Sequence, residues 1–380
     1  MSAEHLKTGL ILSGGGARGS YQVGVLKAIA HLMPDGGRNP FDIICGTSAG
    51  AINASLLACE CDHYGHAITR LEELWSNLDS HHIHKVGFWE LFKSTTKIFR
   101  SFFHSGIVEG EPSALLDNSP LRHLLGKEID FSKLSLRLEQ GDLTALSITA
   151  LAYSSGQNVS FFQGADDAEP WRRNQRIGFR TVLNLDHLMA SSALPVIFPP
   201  VRIHNEYFGD GAIRQNAPLS TALHLGAGKL FVIGLSHNAR ESRAAHEIEK
   251  HTPTLAQIAG HLLNSSFIDA MDEDLEMLER FNLISRYLSS DQINAVNLKP
   301  VEVMTIMPSV RFDEIAARHI ASLPRSMRTF FRTIGATATG GGASLASYLL
   351  FEAGFCNELI EAGYNDTIER QEEIVRFLSD

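Results

Sequence analysis

The chain has 380 residues, 44% of them hydrophobic and 20% charged, a composition that excludes wholesale disorder and leaves room for a large core. Its formal net charge of −10 excludes a general nucleic-acid binder, which needs a basic face to neutralise phosphates. Four cysteines, Cys45, Cys59, Cys61 and Cys356, include no C-x-x-C pair, so neither a zinc knuckle nor a thioredoxin-like site is read and a reducing compartment fits.

The start, MSAEHLKTGLIL, has an acidic residue early and a four-residue apolar patch before Ser13, too little for the apolar region of a signal peptide. No apolar run approaches the length of a membrane span. The expectation is a soluble, cytoplasmic protein whose contact with a membrane is peripheral. Residues 9 to 12 read as a short buried strand, the glycines after it as a turn, and Tyr21 to Met33 as a helix with Val23, Leu26, Ile29 and Ala30 on its apolar side. PDGGRNP is punctuation, Phe41 to Cys45 a second strand, GTSAG a turn, and Ala51 to Ala58 a helix of small residues. This is a parallel βαβα start. Further strands are read at Leu143 to Tyr153, Val159 to Gln163, Leu230 to Leu235 and 301–307. Residues 183–200 pass from helix into a proline-rich loop, and 254–290 and 312–378 are mainly helical. The alternation predicts an α/β fold with a mainly parallel central sheet and helices on both faces. Composition changes more sharply near 80–112 and near 240, and there is no internal repeat.

Gly14-x-Gly16-x-x-Gly19, between a strand and a helix, matches the dinucleotide-binding fingerprint. That site also needs an acid at the end of the second strand for the ribose hydroxyls. Here the strand end carries Gly46-Thr47-Ser48-Ala49-Gly50 instead, a G-x-S-x-G nucleophile elbow, where a serine on a tight strand-to-helix turn projects its hydroxyl beyond the sheet. Parallel neighbouring strands put both glycine turns at one carboxyl edge, so the amides of Gly14, Gly15, Gly16 and Ala17 can serve an oxyanion beside Ser48 rather than a pyrophosphate. A nucleophilic serine needs a base, and two acids in glycine turns compete for the role, Asp35 in PDGG and Asp210 in FGDGAIRQNAPLS.

Together these segments resemble the patatin-like phospholipase family, in its bacterial branch. The glycine-rich turn SGGGARG (Ser13 to Gly19), the elbow Gly46 to Gly50 and the D-G-[GA] turn Asp210-Gly211-Ala212 stand in family order. ASSALPVIFPPV and Gln215-Asn216-Ala217-Pro218 look like the family's segments flanking the aspartate turn. The resemblance implies a patatin-like three-layer fold over 8–236, with 237–380 a mainly helical extension packed on it and carrying the late strand. It also implies a Ser48–Asp210 dyad without a histidine, an oxyanion hole from the loop of Gly14, Gly15 and Gly16, and hydrolysis of phospholipid or lysophospholipid acyl esters without cofactor or metal. Ser13 stands where plant members often carry aspartate, a departure that bears on the loop entrance. Arg18 is read as orienting the loop or a phosphate headgroup, or as a surface residue with neither role. Oligomeric state is not legible.

Three rival readings stay open at this point: an α/β-hydrolase triad using His224 or His237, an oxidoreductase using the first loop, and a lipid-sensing protein with an inert site. The segment KVGFWELFKSTTKIFRSFF (85–103) has an aromatic stripe opposed by basic residues, which fits either core packing or peripheral contact with a membrane. The run GATATGGGASLA reads as a mobile loop, and ERQEEIVRFL as a closing amphipathic helix.

Overall fold

The computed structural model describes residues 6–33, 37–83, 114–166, 168–236, 254–295, 300–334 and 342–379, so the aromatic segment 85–103 lies outside the described residues, as do Asp35 and His237. β1 (Thr8–Leu12) is buried along its whole length, as a central strand of a parallel sheet must be when both faces are covered. It pairs in parallel with β2 (Ile43–Thr47) on one side and β9 (Lys229–Ile233) on the other. β10 (Glu302–Ile306) adds to β9, and β3 (Ala145–Ala152) adds to β2, both parallel. Beyond β3 the sheet becomes mixed. β4 (Asn158–Gly164) runs antiparallel to β3, β6 (Arg176–Arg180) parallel to β4, and β5 (Trp171–Arg173) forms the antiparallel edge. A hairpin of β7 (Val201–Ile203) and β8 (Glu206–Asp210) joins the sheet through β8.

Alternation along the central strands sends side chains to two cores. Leu10, Leu12, Ile44, Phe231 and Ile233 face one hydrophobic cluster; Ile11, Ile43, Cys45, Leu230 and Val232 face the other. The first cluster is filled from α1 (Ser20–Leu32), α2 (Ala49–Cys59) and α3 (Tyr64–Ser76), and by Leu345, Phe355, Leu359 and Phe377 from the end of the chain. The second receives Ala222 from the short helix Ser220–His224 and Leu219 at its N-cap, and Met271 and Leu275 from the helix Ala270–Ser285. Helices therefore cover both faces of a mostly parallel sheet, as the alternating pattern predicts.

The C-terminal helices share the core of the N-terminal part. The helix Ala353–Ile368 crosses α1 so closely that a Cβ on Gly24 would lie 1.9 Å from the carbonyl oxygen of Ile360. Residues 343–346, read from composition as part of a mobile loop, open the helix Ala343–Leu349, whose Leu345 to Leu349 are buried. All four cysteines are free and buried. Among the described residues no helix is long and apolar enough to cross a membrane.

Candidate active site

β2 ends at Thr47, which pairs with Thr149 of β3. The next residue along that side of β3, Ala150, pairs with Asp210 at the end of β8. The chain leaving β2 and the hairpin strand β8 thus meet at the same level of β3, and Ser48 comes to face Asp210. The Ser48 Oγ donates to Asp210 Oδ2 at 2.5 Å. The other carboxylate oxygen, Oδ1, accepts the Ala212 N–H at 3.0 Å, and the Asn158 amide holds the Gly211 carbonyl at 2.8 Å.

Ser48 takes φ 55° and ψ −124°, a backbone region that L-residues rarely adopt and that costs of order 1–3 kcal/mol where surrounding structure enforces it. The enforcement is visible. The Ser48 N–H donates to Ser191 Oγ at 2.9 Å, and Ser191 Oγ donates in turn to the Thr149 carbonyl at 2.6 Å. α2 starts immediately after Ser48, so its positive end lies at the hydroxyl. Gly50 permits this placement, because a Cβ there would lie 2.1 Å from the Leu12 carbonyl oxygen; one on Gly46 would lie 2.4 Å from that of Gly50.

Asp210 is fully buried. Burial pushes its pKa up from 3.8 to about 7, and the hydrogen bonds from Ser48 and Ala212 hold it down against that. A carboxyl poised near neutrality and bonded to a hydroxyl is equipped to take a proton from it.

The glycine loop lies alongside. A Cβ on Gly14 would be 3.0 Å from the Ser48 Cβ and 2.7 Å from the Phe267 ring. Gly16 has φ +56°, and its missing Cβ would fall 2.1 Å from the Tyr348 carbonyl oxygen. A buried polar chain anchors the loop: Trp75 Nε1 donates to Asn53 Oδ1 at 2.8 Å, Asn53 Nδ2 to Gln22 Oε1 at 2.9 Å, and Gln22 Nε2 to the Ser13 carbonyl at 2.8 Å. Asn53 Nδ2 also reaches the Gly19 carbonyl at 3.0 Å. Arg18 is buried, which removes the surface reading. Its Nε donates to Ser347 Oγ at 2.8 Å and its Nη1 to Tyr348 OH at 3.1 Å and Asn264 Oδ1 at 3.3 Å, with the guanidinium 3.8 Å from the Tyr348 ring centroid. Arg18 therefore ties the loop to the C-terminal helices.

These surroundings separate two glycine substitutions. Gly16→Ala is expected to destabilise the fold, since its Cβ meets rigid backbone at a positive φ. Gly15→Ala meets only the movable Leu235 Cδ1, at 2.5 Å, and is expected to fold while losing about 10²-fold in ester turnover if the loop supplies an oxyanion donor. Melting curves and steady-state rates on both variants check this; full turnover by a folded Gly15→Ala would remove the loop from the chemistry.

Beside Ser48 lies a narrow cavity of about 30 Å³ whose walls are almost wholly apolar, with Ile52, Trp75, Leu121, Leu125 and Phe198 among its lining residues. None of these was singled out from the sequence, because they come from four separate segments. Ser191 was missed as well, although it lies in the ASSALP stretch. His224 is not part of the cluster: its Nδ1 lies 2.7 Å from the Ser220 carbonyl and its ring stacks on Trp171. Among the described residues no group of His, Cys, Asp or Glu is placed to hold a metal ion.

Residues 10–223 match the family model described as Patatin-like phospholipase. The chain belongs to that family. The patatin-like core found by the match contains the glycine loop, the elbow and the aspartate turn in one segment. Two curated relatives are named cGAMP-activated phospholipase. One, from Pseudomonas aeruginosa, is 29% identical over 57% of this chain and 55% of its own length; the other, from Vibrio cholerae, is 28% identical over 58% and 59%. The chain thus spans little more than half the length of these relatives. Among solved structures, human GIVD cytosolic phospholipase A2 in complex with methyl gamma-linolenyl fluorophosphonate has a TM-score of 0.44 and 12% identity, covering 98% of this chain and 58% of that one.

Proposed function

We propose that this patatin-like protein is a serine acyl hydrolase that releases fatty acids from phospholipids or lysophospholipids. The observation that carries the reading is the 2.5 Å hydrogen bond from Ser48 Oγ to the buried Asp210 carboxylate, at the wall of an apolar cavity. Ser48 Oγ attacks the acyl carbonyl carbon as Asp210 takes its proton, and the oxyanion is held by amides of the Gly14, Gly15 and Gly16 loop. Collapse expels the alcohol, which recovers the proton from Asp210. Water, deprotonated by Asp210, then attacks the acyl-enzyme, freeing the fatty acid and restoring Ser48. In this reading residues 8–236 are the catalytic core and 237–380 a helical extension, the protein works in the cytoplasm with peripheral access to a membrane, and Arg18 acts by holding the loop.

The deciding experiment incubates wild type and Ser48→Ala with a panel of phospholipids, lysophospholipids and neutral lipids and identifies released products by mass spectrometry. It is run with and without cGAMP, because two relatives are named for activation by it. Fatty acid released by wild type and not by the variant supports the reading; release by both, or by neither, removes it. The cavity makes a further prediction. Leu121→Phe narrows it and is expected to lower kcat/KM for long-chain esters by roughly ten-fold or more while sparing an acetyl ester, since one added group in an apolar pocket discriminates on that scale. Equal loss across a chain-length series would place the acyl chain elsewhere.

A further inference from the structure

The helix Leu255–Asn264 is unusual in what it leaves uncovered. It buries Ala256 and Gly260, yet Leu255 is 71% exposed, Ile258 49% and Leu262 66%. Their spacing of three and four puts them in one stripe along the helix, with the exposed His261 beside it. The helix Arg325–Ile334 packs against it and contributes Arg325, Arg328 and Arg332, also at spacings of three and four, with Arg325 and Arg332 exposed. Neither helix contains an aspartate or glutamate, in a chain whose net charge is −10. An exposed apolar stripe on a helix packed against one that carries three arginines, in a chain of net charge −10, suits an anionic bilayer: the apolar side chains enter the headgroup boundary and the cations meet lipid phosphates.

The same helix leads into the candidate site. After Asn264 the chain makes a π-helical turn, Ser265–Asp269, a local widening of the helix found often at functional sites. This turn aims Phe267 at the glycine loop, where its ring blocks the space of a Gly14 Cβ next to Ser48. Five residues, about 8 Å of helix rise, separate Leu262 on the surface from Phe267 at the loop.

We propose that the helices Leu255–Asn264 and Arg325–Ile334 form the face through which this protein docks on an anionic lipid bilayer, seating Leu255, Ile258 and Leu262 in the headgroup layer. The proposal rests on the lipid-ester reading of the site and is independent of segment 85–103.

Docking is measured as vesicle co-sedimentation of the full chain carrying Ser48→Ala, so that no lipid is consumed, on phosphatidylcholine vesicles with and without phosphatidylglycerol. Tighter partition onto the anionic vesicles, weakening with salt, is expected. Adding Leu255→Ser, Ile258→Ser and Leu262→Ser together should lower partition roughly ten-fold or more on both vesicle types, because binding scales with the apolar area inserted. Arg325→Gln with Arg332→Gln should lower it on anionic vesicles alone and flatten the salt dependence. With Ser48 intact, the triple serine variant should hydrolyse a soluble short-chain ester at the wild-type rate and keep the wild-type Tm. Unchanged partition overturns the proposal. So does a lowered Tm with loss on the soluble ester, which would make the stripe a packing surface, or a gel-filtration dimer that the triple variant dissolves, which would make the occupant a second copy of the chain. If no lipid or ester is cleaved by wild type while partition still depends on this face, the enzymatic reading falls and the docking face stands.

Discussion

Asp210→Asn is expected to reduce ester turnover by on the order of 10³-fold, within the range that a positioned general base supplies, and at the same time to make the protein more stable above neutral pH. The amide cannot take the proton of Ser48, which accounts for the rate. The stability gain follows from burial. The folded carboxyl keeps its proton up to about pH 7, whereas an aspartate in an unfolded chain releases it near 3.9. Between these values the native state binds more protons than the unfolded state, so its stability is full below about pH 4 and falls as pH rises through 7. About three units of difference correspond to at most ~4 kcal/mol. Asparagine stays neutral throughout and lacks that dependence. The Tm of the variant should match wild type near pH 4 and exceed it at pH 8. With Asp210 as the proposed base, only its ionised form accepts the proton, so wild-type kcat/KM should climb with pH through about 7. A variant that keeps a tenth of the activity, or a rate independent of pH between 5 and 8, would take Asp210 out of the base role.

Removing the hydroxyl proposed as the nucleophile should cost more. Ser48→Ala is expected to lose roughly 10⁶-fold in turnover, the scale seen when a covalent nucleophile is deleted, and to lose labelling by a fluorophosphonate. The fold should persist, but the Asp210 carboxylate loses the hydroxyl that donates to it at 2.5 Å. A buried acceptor left unpaired costs about 1–3 kcal/mol, so a lower Tm is expected at pH 8 and little change at pH 5, where the carboxyl is mostly protonated. Ser48→Gly tests a different quantity. It is equally inactive, but φ 55° suits glycine, and relief of backbone strain should leave it about 1 kcal/mol more stable than Ser48→Ala. Persistent fluorophosphonate labelling of Ser48→Ala would move the nucleophile elsewhere, and equal stability of the two variants would show that the elbow stores no strain.

Much of this molecule was legible in its residues. The short apolar runs of β1, β2 and β9, bounded by glycine or proline, carry the signature of strands buried on both faces, and GTSAG at the end of β2 locates a strained turn whose chemistry is local. Three glycine-bearing segments were also enough to place the chain in its family. The two hairpins were not read: β5 with β6, and β7 with β8, have short strands partly exposed, with too little apolar periodicity to register.

What the tertiary structure decided is how distant segments meet. Asp210 lies 162 residues from Ser48, and they touch only because β8 pairs with β3 where β2 stops. Asp35 and Asp210 look alike as residues in glycine turns, and it is a strand pairing that brings Asp210 to Ser48. Arg18 reads as surface or site from its own neighbours, and it is buried because Ser347, Tyr348 and Asn264, more than 240 residues on, fold over it. The apolar cavity is assembled from segments spread between Gly16 and Phe351, and the exposed stripe of Leu255, Ile258 and Leu262 looks like any amphipathic core face in sequence. Local pattern determines which residues form strands, turns and helices, because backbone propensity and periodicity act over a few residues. Which carboxylate loses its water, and which apolar stripe keeps it, depends on packing between segments far apart in the chain.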